Sequence, residues 1–157
     1  MSIFPTKILL ATDGSREAEL AAQTAADLSQ KTNSEVHVVH AFGIAPVGPP
    51  VYPEGTNLQS VEFEAEGEEG QRISERRARE VLETEVQKVR SGGGTVVEEH
   101  LIEGRVAPEI VGLAEQIGAG LIVMGSRGLG GIRRALMGSV SASVVQHAHC
   151  PVMVVRE

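Results

Sequence analysis

The residues with the clearest capacity for chemistry lie in one stretch, Gly125-Ser126-Arg127-Gly128-Leu129-Gly130-Gly131-Ile132-Arg133-Arg134-Ala135-Leu136-Met137-Gly138-Ser139-Val140. Such a run suits an anion. Glycine lets backbone N–H groups approach a charged oxygen with no Cβ in the way, and a helix N-terminus adds unpaired N–H groups and a favourable dipole. Gly125 and Gly128 offer the first property. Gly138 and Ser139 offer the second, with the Ser139 hydroxyl as a further donor. Arg127, Arg133 and Arg134 bring positive charge to this stretch.

Two well-known phosphate loops are excluded. A Walker A loop needs G-x-x-x-x-G-K-[ST], and lysine occurs only at 7, 31 and 88. The dinucleotide fingerprint needs G-x-G-x-x-G at the first strand-to-helix turn, where this chain has Asp13-Gly14-Ser15. NAD and FAD are therefore not expected. The five histidines show no metal-ligand spacing, and the H-x-H pair His147 and His149 supplies two imidazoles where zinc takes three or four ligands. A helix end is the expectation there. The single Cys150 excludes an intramolecular disulfide and reads as a small buried hydrophobe rather than a nucleophile.

The elements that must position these groups are legible from periodicity. Lys7 to Thr12 is an apolar run ending at Asp13-Gly14-Ser15, a first strand followed by a turn that caps a helix. Ala18, Ala21, Ala22, Ala25 and Leu28 then mark one closely packed helix face. Glu35 to Phe42 is a second strand. The stretch 43–70, with Pro46, Pro49, Pro50, Pro53 and a run of glutamates, is expected to be a long surface excursion. From about Gln71 to Arg90 an apolar stripe and the i,i+4 pair Glu75 and Arg79 give a helix, stopped by Gly92-Gly93-Gly94. Thr95 to Ile102 is the third strand, Pro108 to Ile117 the next helix, Leu121 to Met124 the fourth strand, and Pro151 to Val155 the fifth.

Strands that are continuous apolar runs and alternate with helices predict a doubly wound α/β domain, its parallel sheet covered on both faces. With five strands in order 3-2-1-4-5, the winding reverses between strands one and four, where ligands bind in such sheets. Those strands end at Asp13 and Gly125, so topology places the glycine-rich run opposite Asp13. Asp13 is then the only candidate acid near the expected site, with helix capping as its alternative to acid–base work.

One domain over 1–157 fits the length. Fourteen Lys and Arg against twenty-one Asp and Glu leave a net charge of −7, which disfavours nucleic acid and anionic membranes as partners. No run of about 18 apolar residues is present to span a bilayer. Met1 to Lys7 does not read as a leader, and a soluble, cytoplasmic protein is expected.

The spacing Gly125-x2-Gly128-x9-Gly138-Ser139 resembles the G-x2-G-x9-G-[ST] motif of the ATP-binding universal stress proteins. The likeness extends to Ile8-Leu9-Leu10-Ala11-Thr12-Asp13-Gly14-Ser15, to Gly104 with Pro108, and to His149-Cys150-Pro151-Val152-Met153-Val154-Val155. It implies an adenine nucleotide hydrolase-like fold and a site for ATP, commonly with Mg²⁺ or Mn²⁺. It further implies that Asp13 meets the ribose, Ala11 and Thr12 border the nucleotide, and the Ala41 backbone meets adenine. Met124 and Ser126 would flank the sugar and phosphates, with Gly125, Arg127, Gly128, Gly138, Ser139 and Val140 along the phosphate path. The resemblance also implies a homodimer through the fifth strand, Val152, Met153, Val154 and Val155. Three functions follow: a nucleotide-binding regulator, a slow ATPase or nucleotide transferase, or a nucleotide-free interaction module. The intact motif argues against the last, and the absence of S-G-G-x-D-S or H-I-G-H-like loops after strand one argues against a transferase.

Overall fold

A computed structural model of the chain describes residues 2–43, 68–126 and 137–157. Its elements are β1 (Lys7–Ala11), α1 (Arg16–Thr32), β2 (Glu35–Phe42), α2 (Glu68–Ser91), β3 (Thr95–Glu103), α3 (Val106–Ile117), β4 (Leu121–Gly125), α4 (Ser139–His147) and β5 (Val152–Val155). The five strands form one parallel sheet in the order β3-β2-β1-β4-β5, as expected from the sequence. One expected boundary moves. Helix α2 starts at Glu68, so Glu68, Glu69 and Gly70 belong to it and the excursion ends earlier than position 70; the rest of that stretch, 44–67, lies outside the described residues.

Side chains of β1, β2 and β4 alternate between two apolar layers. On one face Ile8, Leu10, Val36, Val38, Leu121 and Val123 meet α1 and α2. On the other Leu9, Ala11, Val39, Ala41, Ile122 and Met124 meet α3 and α4. This double coverage is why the central strands read as unbroken apolar runs.

Helix α1 presents Ala18, Ala21, Ala22, Ala25 and Ala26 to its layer, all buried. Small side chains let the helix axis sit close to the sheet. The same closeness fixes two glycines. A Cβ on Gly94 would lie 2.6 Å from Val89 Cγ1 and 3.0 Å from the Ala26 Cα, and a Cβ on Gly125 would lie 3.0 Å from the Glu17 carbonyl carbon and 3.1 Å from the Ala18 nitrogen. Ser15 caps α1, its hydroxyl accepting from the Ala18 N–H at 3.2 Å. Asn33 ends the helix in the left-handed region, with φ 56°. At this end of the sheet Ser29 ties three segments together: its hydroxyl donates to the Ser34 carbonyl at 2.7 Å and accepts from the Thr95 N–H at 3.0 Å.

Two substitutions test this packing. Leu10 is fully buried in a central strand, so Leu10→Ala is expected to lower unfolding free energy by about 2–5 kcal/mol in a denaturant titration. Gly125→Ala is expected to cost about 1–3 kcal/mol, because the added methyl meets the α1 backbone, which cannot give way as a flexible side chain would.

Candidate functional site

Register places Ala11 beside Met124, so the ends of β1 and β4 lie next to one another. Beyond β1 the chain turns through Asp13-Gly14-Ser15. The Asp13 carboxylate accepts from the Ser15 N–H at 2.9 Å, the Thr12 hydroxyl accepts from the Gly14 N–H at 3.3 Å, and Gly14 adopts φ 76°, a conformation that favours glycine. Asp13 thereby shapes the turn into α1, while the helix cap itself is Ser15. The Asp13 side chain is half-buried, and acid–base chemistry finds no partner for it among the described residues beyond this turn.

Beyond β4 the organising group is Ser126, which is only 1% exposed. Its N–H donates to the Val155 carbonyl at 2.9 Å. Its carbonyl accepts twice, from the Gly138 N–H and from the Ser141 hydroxyl, each at 2.6 Å. Its own hydroxyl donates to the buried carboxylate of Glu17 in the first turn of α1. One residue therefore joins β4 to β5, α1 and α4.

The consequence is positional. Gly138 is the N-cap of α4, with no side chain to satisfy the amides that follow, and the first backbone bond closing the helix runs from the Ala142 N–H to the Gly138 carbonyl at 3.0 Å. The N–H groups of Ser139, Val140 and Ser141 have no acceptor within the helix, as at any helix start. Pinned to Ser126, this start is held at the end of β4, beside the end of β1. An exposed Ser139 stands at its opening, and Gly138 and Val140 are half-buried. Partial positive charge converges here, which suits an anionic ligand.

The residues anticipated from sequence are thus distributed as follows. Ala11, Thr12, Ala41, Met124 and Gly125 are brought to the carboxyl ends of β1, β2 and β4, with Ala11, Ala41 and Met124 buried in the layer under α3 and α4. Arg127 and Gly128 lie outside the described residues. Gly125 and Ser126 have structural reasons for their identity that sequence did not reveal: the first lets α1 approach, the second is a four-way hydrogen-bond junction. Glu17, Ser141 and His40 were missed. Glu17 looked like any acid in a first helical turn, and Ser141 like one of three alternating serines. His40, buried in an otherwise apolar strand, holds the Thr12 carbonyl through Nδ1 at 2.7 Å. That polar residue within a continuous apolar run was the available signal.

The remaining histidines divide differently from the sequence reading. His147 bonds back to the Ser143 carbonyl at 2.8 Å and His149 pairs with Glu115, so the H-x-H pair is a helix end, as expected. His37 and His100, scattered in sequence, instead meet across β2 and β3, at 3.1 Å between His37 Nδ1 and His100 Nε2. Burial, and then the adjacent His100, push the His37 pKa below its ordinary value. Cys150 packs, partly buried, against the α3–α4 layer, and burial raises its thiol pKa, which favours the protonated form.

Comparison with known proteins agrees with this architecture. The profile of the Universal stress protein family matches residues 5–156. Universal stress protein MJ0531 of Methanocaldococcus jannaschii is 35% identical over 153 residues, covering 96% of this chain and 82% of that protein. A universal stress protein from Archaeoglobus fulgidus, solved in complex with dAMP, superposes with TM-score 0.63 at 26% identity, covering 98% of this chain and 99% of the other. A universal stress protein in complex with cAMP shares the fold, with TM-score 0.70 at 21% identity and coverage of 99% and 98%. The chain belongs to the universal stress protein family.

Proposed function

We propose that this chain binds an adenine nucleotide, ATP with Mg²⁺ or Mn²⁺, at the carboxyl ends of β1 and β4, and acts as a cytoplasmic nucleotide-binding regulator of a stress response. The observation that carries the reading is the start of α4, whose backbone donors have no acceptor within the helix and are fixed beside the β1–β4 junction through two hydrogen bonds to the Ser126 carbonyl. Family membership and the dAMP held by the Archaeoglobus fulgidus relative favour adenine over other phosphate ligands.

In this reading the amides of Ser139 and Val140 receive the phosphates, and Arg127 and Gly128 complete the path. Asp13 lies on the ribose side, and the end of β2 at Ala41 faces the base. Mg²⁺ is usually held by substrate phosphates plus one or two carboxylates, and Asp13 offers a carboxylate just beyond the end of β1. Glu17 is engaged by Ser126, and Asp13 by its own turn. Neither is placed as the positioned base that rapid phosphoryl transfer requires. Binding then acts by favouring one state of the protein over another. The exposed edge strand β5, with Met153 on its surface, is the contact for a homodimer.

Calorimetric titration with Mg·ATP tests the site. Wild type is expected to bind with turnover far below the median enzyme rate of ~10 s⁻¹. Gly138→Val is expected to abolish binding with an unchanged circular dichroism spectrum, since φ −71° and ψ 163° at this position suit any residue while the side chain obstructs the amides. Undiminished binding by Gly138→Val contradicts the site. For the dimer, light scattering of Met153→Lys is expected to give half the mass of wild type; two equal masses contradict the β5 contact.

A further inference from the structure

We propose that His37, His100 and Glu98 form a binding site for a divalent transition-metal ion, of the zinc or cobalt class, on the β2–β3 edge of the sheet. Three potential donor atoms, His37 Nδ1, His100 Nε2 and Glu98 Oε2, stand 3.1, 3.6 and 3.7 Å apart. An ion slightly out of the plane of the three, at the centre of a tetrahedron on these edges, lies about 2.1 Å from each, which is the length of a zinc bond to imidazole or carboxylate. Separations of this size also match the edges of a tetrahedral ligand shell built on such bonds. Two imidazoles and one carboxylate leave a fourth position open, the donor set of sites that bind zinc together with water or a substrate.

The backbone explains how the three groups come together. In the parallel β2–β3 pair, Val36 faces Val96 but His37 faces Glu98, so one extra residue, Val97, is bulged out at this point. After the bulge, Val39 faces His100, and alternation puts Glu98 and His100 on the same face as His37. The two imidazole rings stack with centroids 5.4 Å apart and planes 17° from parallel. His37 is 5% exposed, and its Nε2 is buried with no hydrogen-bond partner among the described residues. A ligating histidine usually has an outer hydrogen bond at that second nitrogen; here burial and stacking hold the ring instead. A metal on Nδ1 would take the place of the His37–His100 hydrogen bond and fix the tautomer that carries its proton on Nε2.

The imidazoles select the ion. Nitrogen donors favour zinc, cobalt, nickel or copper over magnesium and calcium, which prefer an all-oxygen shell. The site is also distinct from the proposed nucleotide crevice. His37 lies four residues before Ala41 on β2, about 13 Å along the strand, toward the opposite end of the sheet. The Glu98 side chain is 60% exposed and that of His100 14%, so an ion can enter from the edge. Lys7, which acts electrostatically on His37, has its ammonium bound to the Ile117 carbonyl at 3.1 Å.

The test is titration of the metal-free, untagged full chain with Co²⁺, followed by visible absorption, and with Zn²⁺ against a chelator. One equivalent per chain is expected, with the intense bands of cobalt in a four- or five-coordinate site. His100→Ala is expected to weaken binding more than about 100-fold, beyond what loss of an outer hydrogen bond costs, and Glu98→Gln more than tenfold. Both replace edge residues rather than the buried His37, and their circular dichroism is compared with wild type. His147→Ala is expected to bind as wild type does. Absence of binding by wild type, equal binding by wild type and His100→Ala, or loss of binding in His147→Ala overturns the proposal.

Discussion

The structure depends above all on the peptide group at Ser126. Its N–H goes to β5, its hydroxyl to Glu17 of α1, and its carbonyl to both Gly138 and Ser141 at the start of α4. A strand that ends in a parallel sheet leaves backbone groups to be satisfied, and buried ones must find partners. Here the partners are the first residues of a helix. Satisfying the strand end therefore fixes where that helix begins, and with it where the N–H donors of its first turn point.

The packing supports the same junction from the other side. Helix α1 approaches β4 closely enough to crowd any side chain at Gly125, and it does so on a face made almost wholly of alanine. Its first turn carries Glu17 to the Ser126 hydroxyl. Small residues are thus as necessary to the site as polar ones. A bulkier α1 face would move Glu17 away from β4 and leave a buried hydroxyl and carboxylate without one another.

The fold was legible because apolar runs such as Ile8 to Ala11 and Leu121 to Met124, buried on both faces, alternate with helices of clear period. The switch point followed from strand order alone. What escaped was three-dimensional coincidence. Nothing local distinguishes Glu17 from an ordinary first-turn acid, and Gly125 reads as a phosphate-loop glycine although the α1 backbone already requires it. His37 and His100 are 63 positions apart, and a single bulged residue determines that they share a face with Glu98. Boundaries failed where composition misled: glutamates and a glycine at 68–70 looked like loop but start α2.

The central claim, that the junction at Ser126 builds a nucleotide site from the start of α4 and the end of β1, is tested most directly by amide-resolved NMR during titration with Mg·ATP. The account predicts saturable shifts concentrated at Gly138 to Ser141 and at Thr12 to Ser15, with the β2–β3 edge around His37 unaffected. Saturation without shifts at the α4 start, or no shifts at all, would contradict it.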